Sequence, residues 1–129
     1  MPIARFDHVY LSVEDMNRAV AFYSELLGVT PCHREGASWA DFGCTMGPYL
    51  GLIGRDALSG DRVTGDGAVP VFRTDDVDAA SAELVRLGAT IERPPTDAPT
   101  SGYRYRYFWC RDTEGNRLEI AEYDRKSQI

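Results

Sequence analysis

A duplicated pattern runs through the chain and is the strongest constraint on its fold. The segment Leu11–Asp15 is followed by a helix-like stretch that closes at Leu26–Gly28. The same features return as Phe72–Asp76, 61 positions later, and close at Arg86–Gly88, 60 positions later. Self-similarity at a fixed spacing indicates repeated structural units. The chain is therefore predicted to contain two copies of one supersecondary motif.

Each copy carries the signals that begin and end a helix. Asp15 and Asp76 stand where a side-chain oxygen can cap the first turn, and Gly28 and Gly88 stand where a helix ends. Between these positions apolar residues recur at helical spacing, which predicts one face packed on the core. The predicted inward stripes are Ala19, Phe22, Leu26 and Leu27 in the first helix and Val77, Ala80, Leu84 and Leu87 in the second.

Strand-like segments complete each copy. They are Pro31–Arg34, Trp39–Cys44 and Tyr49–Ile53 in the first half, and Thr90–Arg93, Tyr103–Arg111 and Arg117–Tyr123 in the second. Both halves read βαβββ, which predicts an α+β fold of two tandem modules in one domain, residues 1–129. We place module one at residues 3–54, a polar linker at 55–68, module two at 69–124 and a C-terminal tail at 125–129. The segment Pro94–Gly102 is predicted to be an irregular loop, long enough to act as a flap.

Composition excludes several classes of partner. The chain has 129 residues, and its 20 Asp and Glu outweigh 14 Lys and Arg, which gives a net charge of −6. Without a basic surface, neither nucleic acid nor an anionic membrane is an expected partner. No apolar run reaches the roughly 18–20 residues of a membrane span. The N-terminus lacks the apolar core of a secretion signal, so we expect a cytoplasmic protein.

The cysteines do not predict a cross-linked scaffold. Cys32, Cys44 and Cys110 are too few and too scattered for a disulfide framework or a metal knuckle. Free cysteine commonly packs as a small hydrophobic residue. We therefore expect three buried free thiols.

The first and last strands separate two kinds of side chain. In the first strand, valine and leucine alternate with Phe6, His8 and Tyr10. The aliphatic set is expected beneath the helix, which leaves His8 and its aromatic neighbours on the opposite face. In the last strand the same alternation turns Glu119 away from the helices, onto the face that His8 occupies.

The hairpin before Glu119 has two registers that the sequence leaves open. A five-residue turn, Asp112–Asn116, sets Trp109 opposite Glu119 and brings Tyr105 and Tyr107 to the same face. A turn one residue shorter or longer brings the other set there: Arg104, Arg106, Phe108 and Cys110. We favour the aromatic set.

Three segments resemble the vicinal oxygen chelate superfamily, which groups glyoxalase I, bleomycin-resistance proteins and extradiol dioxygenases. They are Phe6–Asp15, Ala21–Gly28 and Phe108–Ile120. The last is similar to the family's Asp-Pro-x-Gly-Asn hairpin, with Thr113 in place of the usual proline. The resemblance implies two βαβββ modules paired into a curved, incompletely closed barrel, often as a homodimer, with the ligand site in the concave groove.

The resemblance also implies where a metal ion would be bound. Metalloenzymes of this superfamily draw ligands from the first and fourth strands of each module, which here correspond to His8, Gly51, Val69 and Glu119. Only His8 and Glu119 can coordinate an ion through a side chain, whereas catalytic sites usually have three protein ligands. We therefore expect no metal and no other cofactor. Gly51 would open room in the groove, and Val69 would leave an apolar wall.

Aromatic residues predict the kind of ligand. The candidate ligand-binding residues are Phe6, Tyr10, Trp39, Tyr49, Gly51, Val69, Arg73, Tyr105, Tyr107 and Trp109. Most are rings that favour stacking with a flat compound, and Arg73 is a candidate for an anionic group. We expect a small-molecule binding protein that sequesters a planar natural product, such as an antibiotic, in the manner of the bleomycin-resistance branch.

Two enzymatic alternatives remain open. His8 and Glu119, the candidate catalytic residues, are an acid–base pair that a metal-free lyase, isomerase or cyclase would use. The same two residues would hold the divalent ion of a glyoxalase-, epimerase- or dioxygenase-like enzyme.

Overall fold

A computed structural model describes residues 6–44, 47–57, 68–99 and 103–124. In chain order its elements are β1 His8–Val13, α1 Met16–Leu27, β2 His33–Glu35, β3 Trp39–Asp41, β4 Tyr49–Gly54, β5 Val71–Arg73, α2 Val77–Arg86, β6 Thr90–Asp97, β7 Tyr105–Arg111 and β8 Arg117–Tyr123. Two compact units, Met1–Thr64 and Gly65–Ile129, each contain one βαβββ motif, here called module one and module two. The predicted α+β fold of tandem modules is confirmed.

The two modules share one sheet topology. The strand order is β1-β4-β3-β2 in module one and β5-β8-β7-β6 in module two. In each module the first and fourth strands pair in parallel, and the remaining pairs are antiparallel. Each sheet is open, so neither is closed into a barrel. Neither helix of the described residues is long and apolar enough to cross a membrane.

Parts of the predicted organisation lie outside the described residues. Of the predicted linker, Arg55–Ala57 form a single 3₁₀ turn. Residues 58–67 of the linker, residues 100–102 of the predicted flap and the tail 125–129 are not among the residues described.

The core of module one lies between its sheet and α1. The helix begins at Asp15, whose side chain accepts a hydrogen bond from the Arg18 amide, and ends at Gly28 with φ of 71°. The buried apolar residues are Leu11, Val13, Met16, Ala19, Phe22, Tyr23, Ala40, Phe42, Leu50 and Leu52. Leu27 was expected in the inward stripe but is 36% exposed. It lies about 100° around the helix from its neighbour Leu26, which turns it toward solvent.

The core of module two is built in the same way. Its helix begins at Asp76, whose side chain accepts from the Ala79 amide. Its largest fully buried side chains are Phe108, Leu118, Val77 and Cys110. Cys110 is a free thiol, as expected, and burial raises its pKa to about 12. This thiol is therefore an inert part of the core.

The predicted flap is partly a strand. Pro94 and Pro95 lie inside β6, which continues to Asp97. A central strand would exclude proline because the residue has no amide to donate, but β6 is an edge strand. The pairing with β7 also shifts register between Ile91 and Arg93 and again between Arg93 and Thr96. Such bulges leave residues outside the hydrogen-bond ladder, which accommodates the prolines.

The expectation of three free thiols is wrong. Cys32 and Cys44 form a disulfide, with their Cα atoms 5.4 Å apart. Cys32 precedes β2 and Cys44 follows β3, and the antiparallel pairing of these strands brings the two positions together. The amide of Cys32 donates to the Asp41 carbonyl beside the cross-link. The spacing of the cysteines in the sequence does not predict this disulfide, because the disulfide depends on the register of β2 and β3.

Candidate functional site: two aromatic sheet faces

Module one presents an aromatic face on the side of its sheet away from α1. Strand register pairs His8 with Tyr49 and Tyr10 with Gly51, so these four positions share a face. His8 stacks on Tyr49, with ring centroids 4.7 Å apart and planes 8° apart. Trp39 approaches His8 and Tyr10 edge-on at 5.9 and 6.0 Å. The structure therefore brings together most of the candidate residues of module one.

The room predicted above Gly51 is already filled. A Cβ atom at this position would lie 2.5 Å from Cη2 of Trp39, closer than real contacts allow. The indole Nε1 donates to Oδ2 of Asp41 at 2.8 Å, and the other oxygen of Asp41 accepts from the Gly43 amide at 3.1 Å. Trp39 is thus held over the glycine, and the expectation of open space is corrected.

His8 has a partner that sequence reasoning missed. Its Nδ1 lies 2.7 Å from Oδ2 of Asp7, and both side chains are partly exposed. Neighbouring residues inside a strand point to opposite faces, but Asp7 precedes the first residue of β1 and escapes that alternation. A hydrogen bond to Nδ1 orients an imidazole and fixes which nitrogen faces a ligand. The expected pairing of His8 with Glu119 stays a prediction.

Phe6 and Val69 lie just outside the strands. Phe6 precedes β1, is 65% exposed and makes no ring contact with the other described aromatic residues. Val69 precedes β5 and is also exposed. Their role in ligand binding stays a prediction.

Module two presents the aromatic face that the five-residue turn predicts. Arg111 pairs with Arg117, and Trp109 lies opposite Glu119. Asp112 holds the turn, because its Oδ1 accepts from the amides of Glu114 and Asn116, each at 2.8 Å. The alternative register is wrong, since Phe108 and Cys110 are buried in the core.

Glu119 is bound by two of the rings beside it. Its Oε1 accepts from Nε1 of Trp109 at 2.9 Å, and its Oε2 accepts a hydrogen bond from the Tyr105 hydroxyl. Burial and then this hydrogen bond raise the pKa of Tyr105 above its ordinary value. The phenol therefore remains a donor to Glu119 at physiological pH. The carboxylate fixes both rings while it stays half-buried.

The rings of module two form a continuous row. Tyr105 lies 5.9 Å from Tyr107, Tyr107 lies 5.8 Å from Trp109, and Tyr105 stacks on Tyr123 at 5.5 Å. Arg73 extends the row, because its guanidinium lies 4.1 Å from the Tyr123 ring centroid and donates to the Tyr123 carbonyl. Tyr123 is four residues after Glu119 on β8. Because side chains alternate between the two faces of a strand, this even spacing could have predicted that Tyr123 lies on the same face.

The four metal positions implied by the resemblance do not fit a metal centre. Two of these positions are equivalent in the two modules: Gly51, which pairs with Tyr10, and Glu119, which pairs with Val71. The first has no side chain and lies under Trp39, while both oxygens of the second already accept hydrogen bonds. Within the ranges described, no three His, Cys, Asp or Glu side chains are grouped to hold an ion. Whether the chain binds a metal stays a prediction.

Comparison with known proteins identifies the relatives of this fold. Residues 5–120 match the model of the Glyoxalase/Bleomycin resistance protein/Dioxygenase superfamily. The virulence protein STM3117 of Salmonella typhimurium is 22% identical over 125 residues, which cover 95% of this chain and 87% of that protein.

Two solved structures show the same fold. A glyoxalase-related enzyme from Fulvimarina pelagi has a TM-score of 0.75 at 19% identity, covering 93% of this chain and 88% of that one. A glyoxalase/bleomycin resistance protein from Albidiferax ferrireducens has a TM-score of 0.73 at 22% identity, covering 92% and 99%.

Proposed function

Because the chain belongs to the Glyoxalase/Bleomycin resistance protein/Dioxygenase superfamily, we propose that it binds a planar, partly aromatic small molecule without changing it. The ligand contacts the aromatic face of module two. The proposal includes a homodimer without a metal ion. A natural product such as an antibiotic is the class of ligand we expect.

The row of rings fixed by Glu119 is the observation that carries this proposal. Tyr105, Tyr107 and Trp109 are all partly exposed, so they offer ring surface to a ligand. Two of them are held by hydrogen bonds to one carboxylate, which limits the rotamer entropy lost on binding. Well-placed ring pairs contribute about 0.5–1.5 kcal/mol each beyond the area they bury. A rigid, half-exposed aromatic row therefore suits a flat ligand.

The test is a binding screen followed by two variants. Planar aromatic compounds are screened by quenching of tryptophan fluorescence, and hits are measured by calorimetry. Trp109→Ala is expected to weaken binding by at least about 1 kcal/mol, or roughly fivefold in Kd. The matched control Trp109→Phe retains a ring and most of the affinity. Equal affinity of Trp109→Ala and the natural protein for the planar compound would contradict the proposal.

The Asp7–His8 hydrogen bond favours a second candidate function. A carboxylate on Nδ1 is the arrangement that prepares an imidazole for proton transfer through Nε2. In that case the chain is a metal-free lyase, isomerase or cyclase, with His8 as the acid–base group.

Recovery of the ligand separates the two functions. An unaltered compound after incubation supports sequestration, whereas a changed compound supports catalysis. His8→Ala is expected to reduce a catalysed rate by about 10²-fold or more but to leave stacking affinity nearly unchanged.

A further inference from the structure

Arg93 is brought to the aromatic face of module two by an irregularity in β6. Ile91 pairs with Cys110, yet Arg93 rather than Glu92 pairs with Trp109, the next residue along β7. One extra residue in a strand is a β-bulge, which redirects the side chains that follow. Without it, Glu92 would lie opposite Trp109.

Among the described residues, the guanidinium of Arg93 contacts only neutral groups. Its Cζ lies 5.0 Å from the ring centroid of Trp109, and its Nη1 donates to the Tyr107 hydroxyl at 3.2 Å. Among the residues described, no carboxylate pairs with it. Its neighbours differ, because Arg111 and Arg117 share Glu92 as their partner. Arg93 is also exposed, and its hydrogen bond to Tyr107 occupies one of the five donors of a guanidinium.

The charge on this side of the sheet is opposite to that of the chain. The four arginines placed there by register or ring contact are Arg73, Arg93, Arg111 and Arg117. They face two carboxylates in the described part of the module, Glu92 and Glu119. The face therefore carries an excess of positive charge, although the whole chain has a net charge of −6. Local positive charge with an unneutralised guanidinium complements an anionic ligand.

We infer that Arg93 binds the carboxylate of a planar aromatic acid, and this inference rests on the proposed function. A planar guanidinium matches a carboxylate through two parallel hydrogen bonds, and its contact with Trp109 holds the fork beside the row of rings. The ligand's ring meets the aromatic row while its acid group meets Arg93. This narrows the ligand from flat compounds in general to flat acids.

Matched probes test the inference. Aromatic monocarboxylates of one to three fused rings are each paired with the corresponding primary amide, and Kd is measured by calorimetry at low salt. The natural protein is expected to bind the best carboxylate at least about tenfold more tightly than its amide, as for charge-assisted hydrogen bonds. Arg93→Gln is expected to remove that preference and to leave the amide Kd within about twofold.

Two further variants serve as controls. Arg93→Lys keeps the charge but loses the fork, so it is expected to recover only part of the preference. Arg86→Gln removes an exposed arginine paired with Glu83 on α2. It is expected to change neither the Kd of the carboxylate nor that of the amide. Thermal melting of each variant checks that it is folded.

The outcomes separate this inference from the proposed function. Equal binding of acid and amide, or an equal loss of both in Arg93→Gln, overturns the role of Arg93 and leaves ring stacking standing. Binding of neither probe class by the natural protein contradicts both. A shift from dimer to monomer in Arg93→Gln, measured by sedimentation, assigns the face to a contact between copies and also overturns the inference.

Discussion

The two modules use one equivalent sheet position in different ways. Gly51 in β4 and Glu119 in β8 have the same place in the register of their modules. In module one the position has no side chain, and the Trp39 ring lies over it. In module two it carries a carboxylate that accepts from the indole of Trp109. The same topology thus supports a closed aromatic cluster in one module and a fixed acidic centre in the other.

An indole bound to a carboxylate is nevertheless common to both faces. Trp39 donates to Asp41 in module one, as Trp109 donates to Glu119 in module two. The acid lies on the third strand in one module and on the fourth in the other. The comparison indicates that these carboxylates hold rings in place, a role that needs no metal ion.

The largest expected difference between the modules concerns the cross-link. Strands β2 and β3 have three residues each, whereas β6 and β7 have eight and seven. Replacing both Cys32 and Cys44 with serine is expected to lower the free energy of unfolding by about 3 kcal/mol, from the entropy of the opened loop. Urea unfolding measures the change. A thiol titration of the denatured, unreduced protein should find Cys110 alone, and three reactive thiols would contradict the disulfide.

Filling the position at Gly51 tests the contrast directly. Gly51→Ala places a methyl group against Trp39 and is expected to cost about 2 kcal/mol, as overpacking does. In the Trp39→Ala background the same change should cost much less. A double-mutant cycle from urea unfolding measures the coupling between the two side chains. Additive effects would mean that the cost of the added methyl group does not come from its contact with Trp39.

Neutralising each carboxylate compares the two indole partners. Glu119→Gln turns one acceptor oxygen into an amide donor facing Tyr105 or Trp109. It is therefore expected to lower the free energy of unfolding by about 1.5 kcal/mol. Asp41→Asn is the matched change in module one. An effect at Asp41 but none at Glu119 would contradict the ring-holding role in module two.

Alkaline pH is expected to give the smallest effect. The pKa of Tyr105 is raised in the folded protein, so its stabilising contribution is complete below the unfolded pKa near 10.0 and declines as pH rises above it. Between about pH 8 and pH 11 the free energy of unfolding should therefore fall less in Tyr105→Phe than in the natural protein. An equal fall in Tyr105→Phe and in the natural protein would contradict this contribution.

The sequence predicts the elements well because their signals are local. Asp15 and Asp76 cap the helices as expected, and the five residues from Asp112 to Asn116 fix the hairpin register. That register in turn places Trp109 beside Glu119. The hydrophobic periodicity and the length of the turn were sufficient to predict these features.

The features that were missed depend on contacts between distant segments or on strand boundaries. The Cys32–Cys44 bond requires the pairing of β2 with β3, and the approach of Trp39 to Gly51 requires the register of β3 with β4. Arg93 reaches the aromatic face through a bulge that alternation cannot reveal. Asp7 reaches His8 because it lies one residue before its strand begins.

The prolines of β6 also affect how the protein behaves in a crowded solution. An edge strand with free amides can pair with a strand of another molecule and start an aggregate. Pro94 and Pro95 have no amide hydrogen, and the register shifts around them interrupt the regular spacing of the remaining donors. This edge of module two is therefore a poor template for strand addition, which protects the chain from edge-to-edge association while leaving its aromatic face available.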